Sequence, residues 1–313
     1  MTQPSEYRFT RYLAAKKSVD DRALNRHVWS SLRDSIAFLK LNQQPLRVLE
    51  IGAGIGTMVE RVLEWQLWGG DVVYTAIDAD PDNIATAYRR LHDWGDMHGY
   101  EIDRTERKIA LVEPNRAISL ALETIDVFDF IQREAGRQTW DLLIAHAFLD
   151  LIDIPSILPS LFSLIQESGL FYFTINFDGL TILEPAIDVA YDARVMDLYH
   201  RSMDERRVGG KPSGDSRTGR HLFDHLREVG ASVIDAGSSD WVVFPGPWGY
   251  PEDEAYFLHF MIHTIDLALR KHPELDAGRF ADWVAERHAQ IEKGILIYIA
   301  HQLDLVGQAH SQG

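Results

Sequence analysis

Gly52, Gly54 and Gly56 stand at alternate positions in LRVLEIGAGIGTMVERVL, residues 46–63. Glycine turns the backbone with positive φ and leaves room where a Cβ would block a ligand. Leu46, Val48, Leu49 and Ile51 precede the glycines as a short apolar run suited to a buried strand. Met58, Val59, Val62 and Leu63 follow with helical spacing. A strand that passes through a glycine turn into a helix N-terminus offers unpaired N–H groups and a partial positive charge, the chemistry of a nucleotide cradle. The dinucleotide form of that turn needs glycine at its sixth position, and Thr57 stands there.

The elements that follow must place an acid beside the cradle. Val72, Val73, Tyr74, Ala76 and Ile77 read as a second strand ending at Asp78, 22 positions after Gly56. An acid closing this strand accepts hydrogen bonds from both hydroxyls of a ribose. Pro81 suits the first turn of the next helix, and Asp80 is expected to cap it rather than touch a ligand.

Glu50 followed by Gly-x-Gly-x-Gly resembles motif I of the class I S-adenosylmethionine (SAM)-dependent methyltransferases, and YTAIDADPDNIATA resembles that family's second motif. Further pieces keep the same order: ISLALETIDVFDFI at 118–131, WDLLIAHAFLDLID at 140–153 with a buried strand opening at His146, and ESGLFYFTINF at 167–177 ending near Asn176. The resemblance covers roughly residues 46–177. It implies an α/β fold with a doubly wound, seven-stranded, mostly parallel sheet and a terminal antiparallel hairpin. It implies SAM as cofactor, with S-adenosyl-L-homocysteine as product. The implied cofactor positions are Glu50, Gly52, Ala53, Gly54, Gly56, Asp78, Ala79, Asp126, Val127 and His146. Asp126 and Val127 take the adenine role, with Asp129 a rival and a plain helix-start aspartate the alternative.

Methyl transfer from a sulfonium is an in-line displacement whose demand is positioning, worth about 7–11 kcal/mol. A base is needed only where the acceptor loses a proton. Ligands lie outside the carboxyl ends of the strands, so His146 and Asn176 are the catalytic candidates, with a packed histidine as the alternative for His146. Amino-methylating members carry Asn or Asp followed by Pro-Pro and an aromatic at this place. The chain has AHAFLD instead, which turns the reading away from adenine or glutamine N-methylation. The segment 201–220 holds six Arg or Lys against three acids. Guanidinium forks bind carboxylates and phosphates, so Arg217 and Arg220, with Arg206 or Arg207, are expected to hold an anionic group of the acceptor. Tyr250, with Tyr256, Trp248 and Trp241, is expected to line the acceptor pocket or the core. His259, His263 and Asp266 share one helical face but fall short of a ligand set, so no metal is expected.

Around the core, residues 1–45 are expected to form an N-terminal helical lid, with Tyr12, Lys16 and Arg22 facing the cofactor, and 46–177 the SAM-binding core. Residues 98–117 read as an inserted hairpin or loop, and 178–216 as an inserted cap. A helix and hairpin at 217–245 close the core, the hairpin turning at Gly237–Asp240. Residues 246–313 read as a helical extension, with Trp283, Ile291, Ile295, Tyr298 and Leu303 on its second helix and a disordered SQG tail. These C-terminal helices are expected to serve as a substrate cap or a homodimer surface.

The chain has 313 residues, 46% hydrophobic content, no cysteine and a formal charge of −16. The absence of cysteine removes disulfides, thiolate zinc sites and a cysteine nucleophile. The negative charge disfavours nucleic acid as substrate. Neither a signal peptide nor an apolar span of membrane length is seen, so a cytoplasmic enzyme acting on a small-molecule acceptor is expected. The alternatives are a SAM-binding regulatory or partner protein without catalysis, an aminopropyl transferase, which the basic loop disfavours, and a nicotinamide oxidoreductase, which Thr57 disfavours.

Overall fold

Runs that are apolar on both faces, with little alternation, build the parallel centre of the sheet. The computed structural model describes residues 2–39, 44–104, 108–113 and 116–310; the terminal SQG tail and parts of the 98–117 insertion lie outside these. The strands are β1 (Leu46–Ile51), β2 (Val72–Asp78), β3 (Glu101–Arg104), β4 (Lys108–Glu113), β5 (Arg116–Thr124), β6 (Trp140–His146) and β7 (Ile165–Glu184), followed by the two-residue β8 (Arg207–Val208) and β9 (Lys211–Pro212). β10 (Ser232–Ser238), β11 (Trp241–Val243) and β12 (Ile297–Gln308) complete the set. The main sheet runs β10-β12-β7-β6-β1-β2-β5-β4-β3, with β11 also on β12. Pairing is parallel among β5, β2, β1, β6 and β7 and antiparallel at both flanks. The doubly wound, mostly parallel reading therefore holds, with β3, β4 and β11 added to a core of seven strands. The described parts of the 98–117 insertion form the antiparallel β3–β4 edge.

Two helical layers cover the sheet. On one face, α2 (Arg26–Ala37), α3 (Thr57–Glu64) and α4 (Pro81–Met97) bury Leu32, Val62 and Leu91; on the other, α5 (Val127–Glu134), α6 (Ile154–Phe162) and α8 (Thr218–Glu228) bury Phe130, Leu158 and Leu222. α1 (Phe9–Ala23), α7 (Val189–Asp204), α9 (Glu254–Leu269) and α10 (Ala277–Glu292) pack beyond the carboxyl ends of the parallel strands, joined to the first layer's core. Among the described residues no helix is long and apolar enough to cross a membrane.

The C-terminal segment departs from the helical expectation. α10 stops at Glu292, Gly294 follows with φ +64, and Ile297–Gln308 is a strand inserted between β7 and β10. Ile291, Ile295 and Tyr298 mimic helical spacing, but a left-handed glycine ends a helix, and the alternation of Tyr298, Ala300, Gln302 and Asp304 toward the interior has period two. The expected 231–245 hairpin is corrected as well: β10 and β11 each pair with β12 and not with one another. The last strand of the chain thus belongs to the core. Gly307 is required where it crosses, since a Cβ there would lie 2.2 Å from the Phe171 ring and from the Ser232 carbonyl.

Candidate active site

The winding reverses between β1 and β6, and the crevice at such a switch point is where open α/β sheets bind ligands. The glycine turn sits there. Gly52, Gly54 and Gly56 have φ of +66°, +55° and +81°, values that favour glycine. Ala53 N–H donates to the Ile77 carbonyl at 2.9 Å, tying the turn to β2. Asp78 closes β2 and locks the turn: its Oδ2 accepts from Gly54 N–H at 2.8 Å, and its Oδ1 from Asp80 N–H at 2.9 Å and Asn83 Nδ2 at 3.1 Å. A carboxylate has about four acceptor positions, so Asp78, half-buried, keeps capacity for a ligand. Asn83 carries no sequence motif and emerges only from the fold. Asp80 caps α4 through Asp82 N–H at 2.8 Å, as expected. Gly56 faces α4, where a Cβ would lie 2.9 Å from Leu91, so it serves helix packing.

Asp126 is the N-cap of α5, accepting from Phe128 N–H at 2.8 Å. Ala79 is exposed at the end of β2, and Val127 is buried as the first residue of α5. Glu50 lies inside the core, where Tyr74 Oη donates to its Oε2 at 2.8 Å. Burial pushes its carboxyl up to about 8, against the opposing Tyr74 bond. In the folded chain it keeps a proton that the unfolded chain releases near pH 4.5, so this group makes stability fall as pH rises from there toward about 8. Glu50→Gln keeps the shape without the titration. Its Tm is expected to match the parent near about pH 5 and to exceed it by several degrees near about pH 9. A Tm difference that stays flat with pH counts against this.

The chain's own side chains cover the other half of the cradle. A Cβ at Gly52 would lie 2.3 Å from the Phe148 ring, and one at Gly54 would lie 3.2 Å from Leu13 of α1. α1 is laid across the crevice and anchored at both ends. Arg8 N–H donates to Tyr256 Oη at 2.7 Å, Arg11 forks onto Asp253, and Arg22 forks onto the buried Glu254. The Tyr12 ring stacks on Phe260 at 4.1 Å between centroids.

Beneath α1 lies a buried polar hub centred on Asp20. Its Oδ2 accepts from Lys16 Nζ at 2.7 Å, His146 Nε2 at 3.0 Å and Arg61 Nη2 at 3.4 Å, and its Oδ1 from Trp241 Nε1 at 2.9 Å. Burial alone would raise the Asp20 carboxyl, but Lys16, His146 and Arg61 hold it well below the usual carboxylate range. Burial lowers Lys16, with Asp20 opposing. His146 closes β6 as expected, yet it is not poised as a base. Nδ1 meets Thr174 Oγ1 at 2.8 Å, Nε2 meets Asp20, and burial pulls its pKa down to about 4 despite that carboxylate. It is a neutral hub member at pH 7. Arg61 and Asp20 carry no motif, and their burial follows from α1 docking on α3.

Asn176 is wholly buried, and its Nδ2 donates to the Leu303 carbonyl at 2.9 Å, stitching β7 to β12. The arginines do not converge as an anion clamp. Arg220 forks onto Asp178 at 2.8 and 2.9 Å, and Arg206 donates to the Ser213 and Asp150 carbonyls. Arg207 donates to the Gly210 carbonyl, and Arg217 is exposed at the start of α8. Loop carbonyls and a nearby aspartate satisfy Arg206, Arg207 and Arg220, which composition alone does not reveal. Tyr250 lines a different hollow with Phe244 and Trp248, its hydroxyl donating to the Leu296 carbonyl. His259 Nδ1 meets His288 Nδ1 at 2.9 Å, and His263 stacks on Tyr7. Among the described residues no group of three or more His, Asp or Glu is placed to hold a metal.

One residue of the site was missed. Asp150 follows His146 by four positions, in the 3₁₀ turn Leu149–Leu151 beyond β6. Its Oδ1 is buried and has no hydrogen-bond partner among the described residues. Burial raises its carboxyl, with Arg206 opposing, and it interacts electrostatically with Tyr12, Lys16 and Tyr199. Arg206 and Ser213 grip the carbonyls of residues 150 and 151, fixing the turn. The only sequence signal was its place just after the fourth core strand.

No protein-family model matches the chain, and no curated protein matches it by sequence. Similar solved structures include a SAM-dependent methyltransferase from Thiobacillus denitrificans in complex with S-adenosyl-L-homocysteine, at 12% identity and TM-score 0.44, covering 98% of this chain and 99% of that one. Another is a SAM-dependent methyltransferase from Methanosarcina mazei, at 12% identity and TM-score 0.42, covering 86% and 95%. A third is the (4+2)-cyclase SpnF, at 12% identity and TM-score 0.43, covering 96% and 94%. Strand order and winding, read from the chain itself, are those of a doubly wound, mostly parallel α/β sheet with antiparallel flanks.

Proposed function

We propose that this chain is a SAM-dependent methyltransferase acting on a small-molecule acceptor. The observation that carries the reading is the glycine turn at the β1/β6 switch point, with Asp78 locked onto Gly54 N–H and still able to accept from a ribose. The donor set fits a nucleoside: Asp78 for the ribose, with Ala79, Asp126 and Val127 beside it. A cavity of ≈ 450 Å³ opens next to Asp80 between the start of α1 and α4. The amino-acid half of the cofactor requires the Phe148 ring and Leu13 to swing off Gly52 and Gly54, so α1 acts as a lid. SAM supplies an activated methyl group when bound. The chain's part is to orient that group, exclude water under α1 and present the acceptor at the end of β6. Asp150 Oδ1 is placed to accept a hydrogen bond, or a proton, from an acceptor N–H or O–H.

Titration with S-adenosyl-L-homocysteine and with NAD tests the cofactor; binding of NAD alone overturns the reading. Release of S-adenosyl-L-homocysteine from SAM in a screen of amine and hydroxyl acceptors tests the reaction. Asp150→Asn is expected to lower kcat about 100-fold or more, the range for a positioned acid–base group, while the affinity for S-adenosyl-L-homocysteine stays unchanged. An unaltered kcat excludes Asp150. The closed cradle under Phe148 also favours a second reading, a SAM-binding protein without turnover. Cofactor binding with no product from any acceptor, in the parent and in Phe148→Ala alike, selects it.

A further inference from the structure

The upper part of β7, β12 and β11 forms a three-stranded ribbon above the carboxyl ends of the parallel strands. Its inner face is spent on the core: Leu183, Tyr298 and Val243 lie in one register row and are buried. Its outer face carries the row Ile182, Ile299 and Val242, with Ile297 and Phe244 beyond it, and these belong to neither hydrophobic core. Phe244 is 53% exposed, Val242 42%, Leu180 49%, and Trp248 on the adjoining turn 98%. Isolated exposed apolar residues are ordinary, but a contiguous sheet face of this kind marks an interaction surface.

We propose that this face is the contact between two copies of the chain, packed ribbon on ribbon about a twofold axis. Three observations select a second copy. The first is size. The exposures amount to an apolar area on the order of 700 Å², close to the about 800 Å² that each partner contributes to a standard interface. The second is charge complementarity along the strands. At the lower end Arg217 lies against Gly179, its Cγ 3.5 Å from where a Cβ would be, and its guanidinium has no hydrogen-bond or ion-pair partner among the described residues. At the upper end Glu184 is exposed and paired across from Ile297, so it points from the outer face. About 17 Å of strand separates the two ends. A twofold axis near the Ile182–Ile299 row sets each Arg217 against the partner's Glu184, so one surface complements itself. The third is that the helices expected to form a dimer are consumed within the protomer. α9 buries residues on all sides, and α10 buries Phe280, Trp283 and Ile291. Face-to-face packing of aligned sheets interdigitates such side chains.

Sedimentation or light-scattering mass measurement of the full chain tests this. The parent is expected to be a dimer. Val242→Lys is expected to be a monomer with unchanged circular dichroism and Tm. Arg217→Glu and Glu184→Arg are each expected to weaken the dimer about tenfold, and the double variant to recover it, because the swapped charges meet again across the axis. A parent that stays monomeric at high micromolar concentration overturns the proposal. So does a dimer indifferent to Val242→Lys, or a charge swap without recovery.

Discussion

Asp20→Ala is expected to destabilise the protein by about 3–5 kcal/mol, the range for removing one partner from a buried ion cluster. Lys16 is almost wholly buried and would lose its counter-charge, while the buried Arg61 would keep only Asp21. The Trp241 indole N–H and one nitrogen of His146 would lose their partner as well. Adding Lys16→Met to Asp20→Ala removes one orphaned charge, so the double variant recovers part of the loss. Urea unfolding reads both, as a lower midpoint with an unchanged slope. A loss below about 1 kcal/mol, the scale of an exposed ion pair, would show that the hub does not hold α1 down. The sign with pH follows from His146. Its folded pKa of about 4 lies below its ordinary 6.5, so between these values the unfolded chain binds a proton that the folded chain refuses. Stability from this group is complete above about pH 6.5 and falls as pH drops toward about 4. Asp20, held below the usual range, keeps its charge through that window.

Asp78→Ala is expected to raise the dissociation constant for S-adenosyl-L-homocysteine about 100-fold or more. Hydrogen bonds to a charged group are worth about 1.5–3 kcal/mol each, and a ribose offers two hydroxyls. The substitution also frees Gly54 N–H, whose bond to Oδ2 holds the turn. Asp80→Ala, two residues on, loses only a helix cap worth about 1 kcal/mol and is expected to leave affinity unchanged. Calorimetric titration of both variants separates cradle from cap. Unaltered affinity in Asp78→Ala would remove the ribose role and with it the support for SAM. Under the proposed function α1 is a lid, because Phe148 and Leu13 crowd Gly52 and Gly54, and such motions set turnover in many enzymes.

Local chemistry determined one part of this protein and tertiary packing the other. The glycine turn, the strand before it and the acid closing the second strand were legible because each depends on neighbours within a few residues. Backbone freedom, period and turn residues act at that range. The hub was not legible, because Lys16 and Asp20 on α1, Arg61 on α3, His146 on β6 and Trp241 on β11 come together from four different elements. Only the docking of α1 removes water from them, and that desolvation turns surface-type charges into a buried cluster. The basic loop shows the reverse: its cations in sequence read as an anion site, while in space Asp178 and loop carbonyls take the forks of Arg206, Arg207 and Arg220. β12 shows the same limit for topology. Whether Ile297–Gln308 lies as a helix on the surface or as a strand between β7 and β10 depends on unpaired edges supplied by residues more than a hundred positions earlier and about seventy earlier. Its apolar period alone was open to both readings, and the non-local hydrogen-bond ladder decided between them.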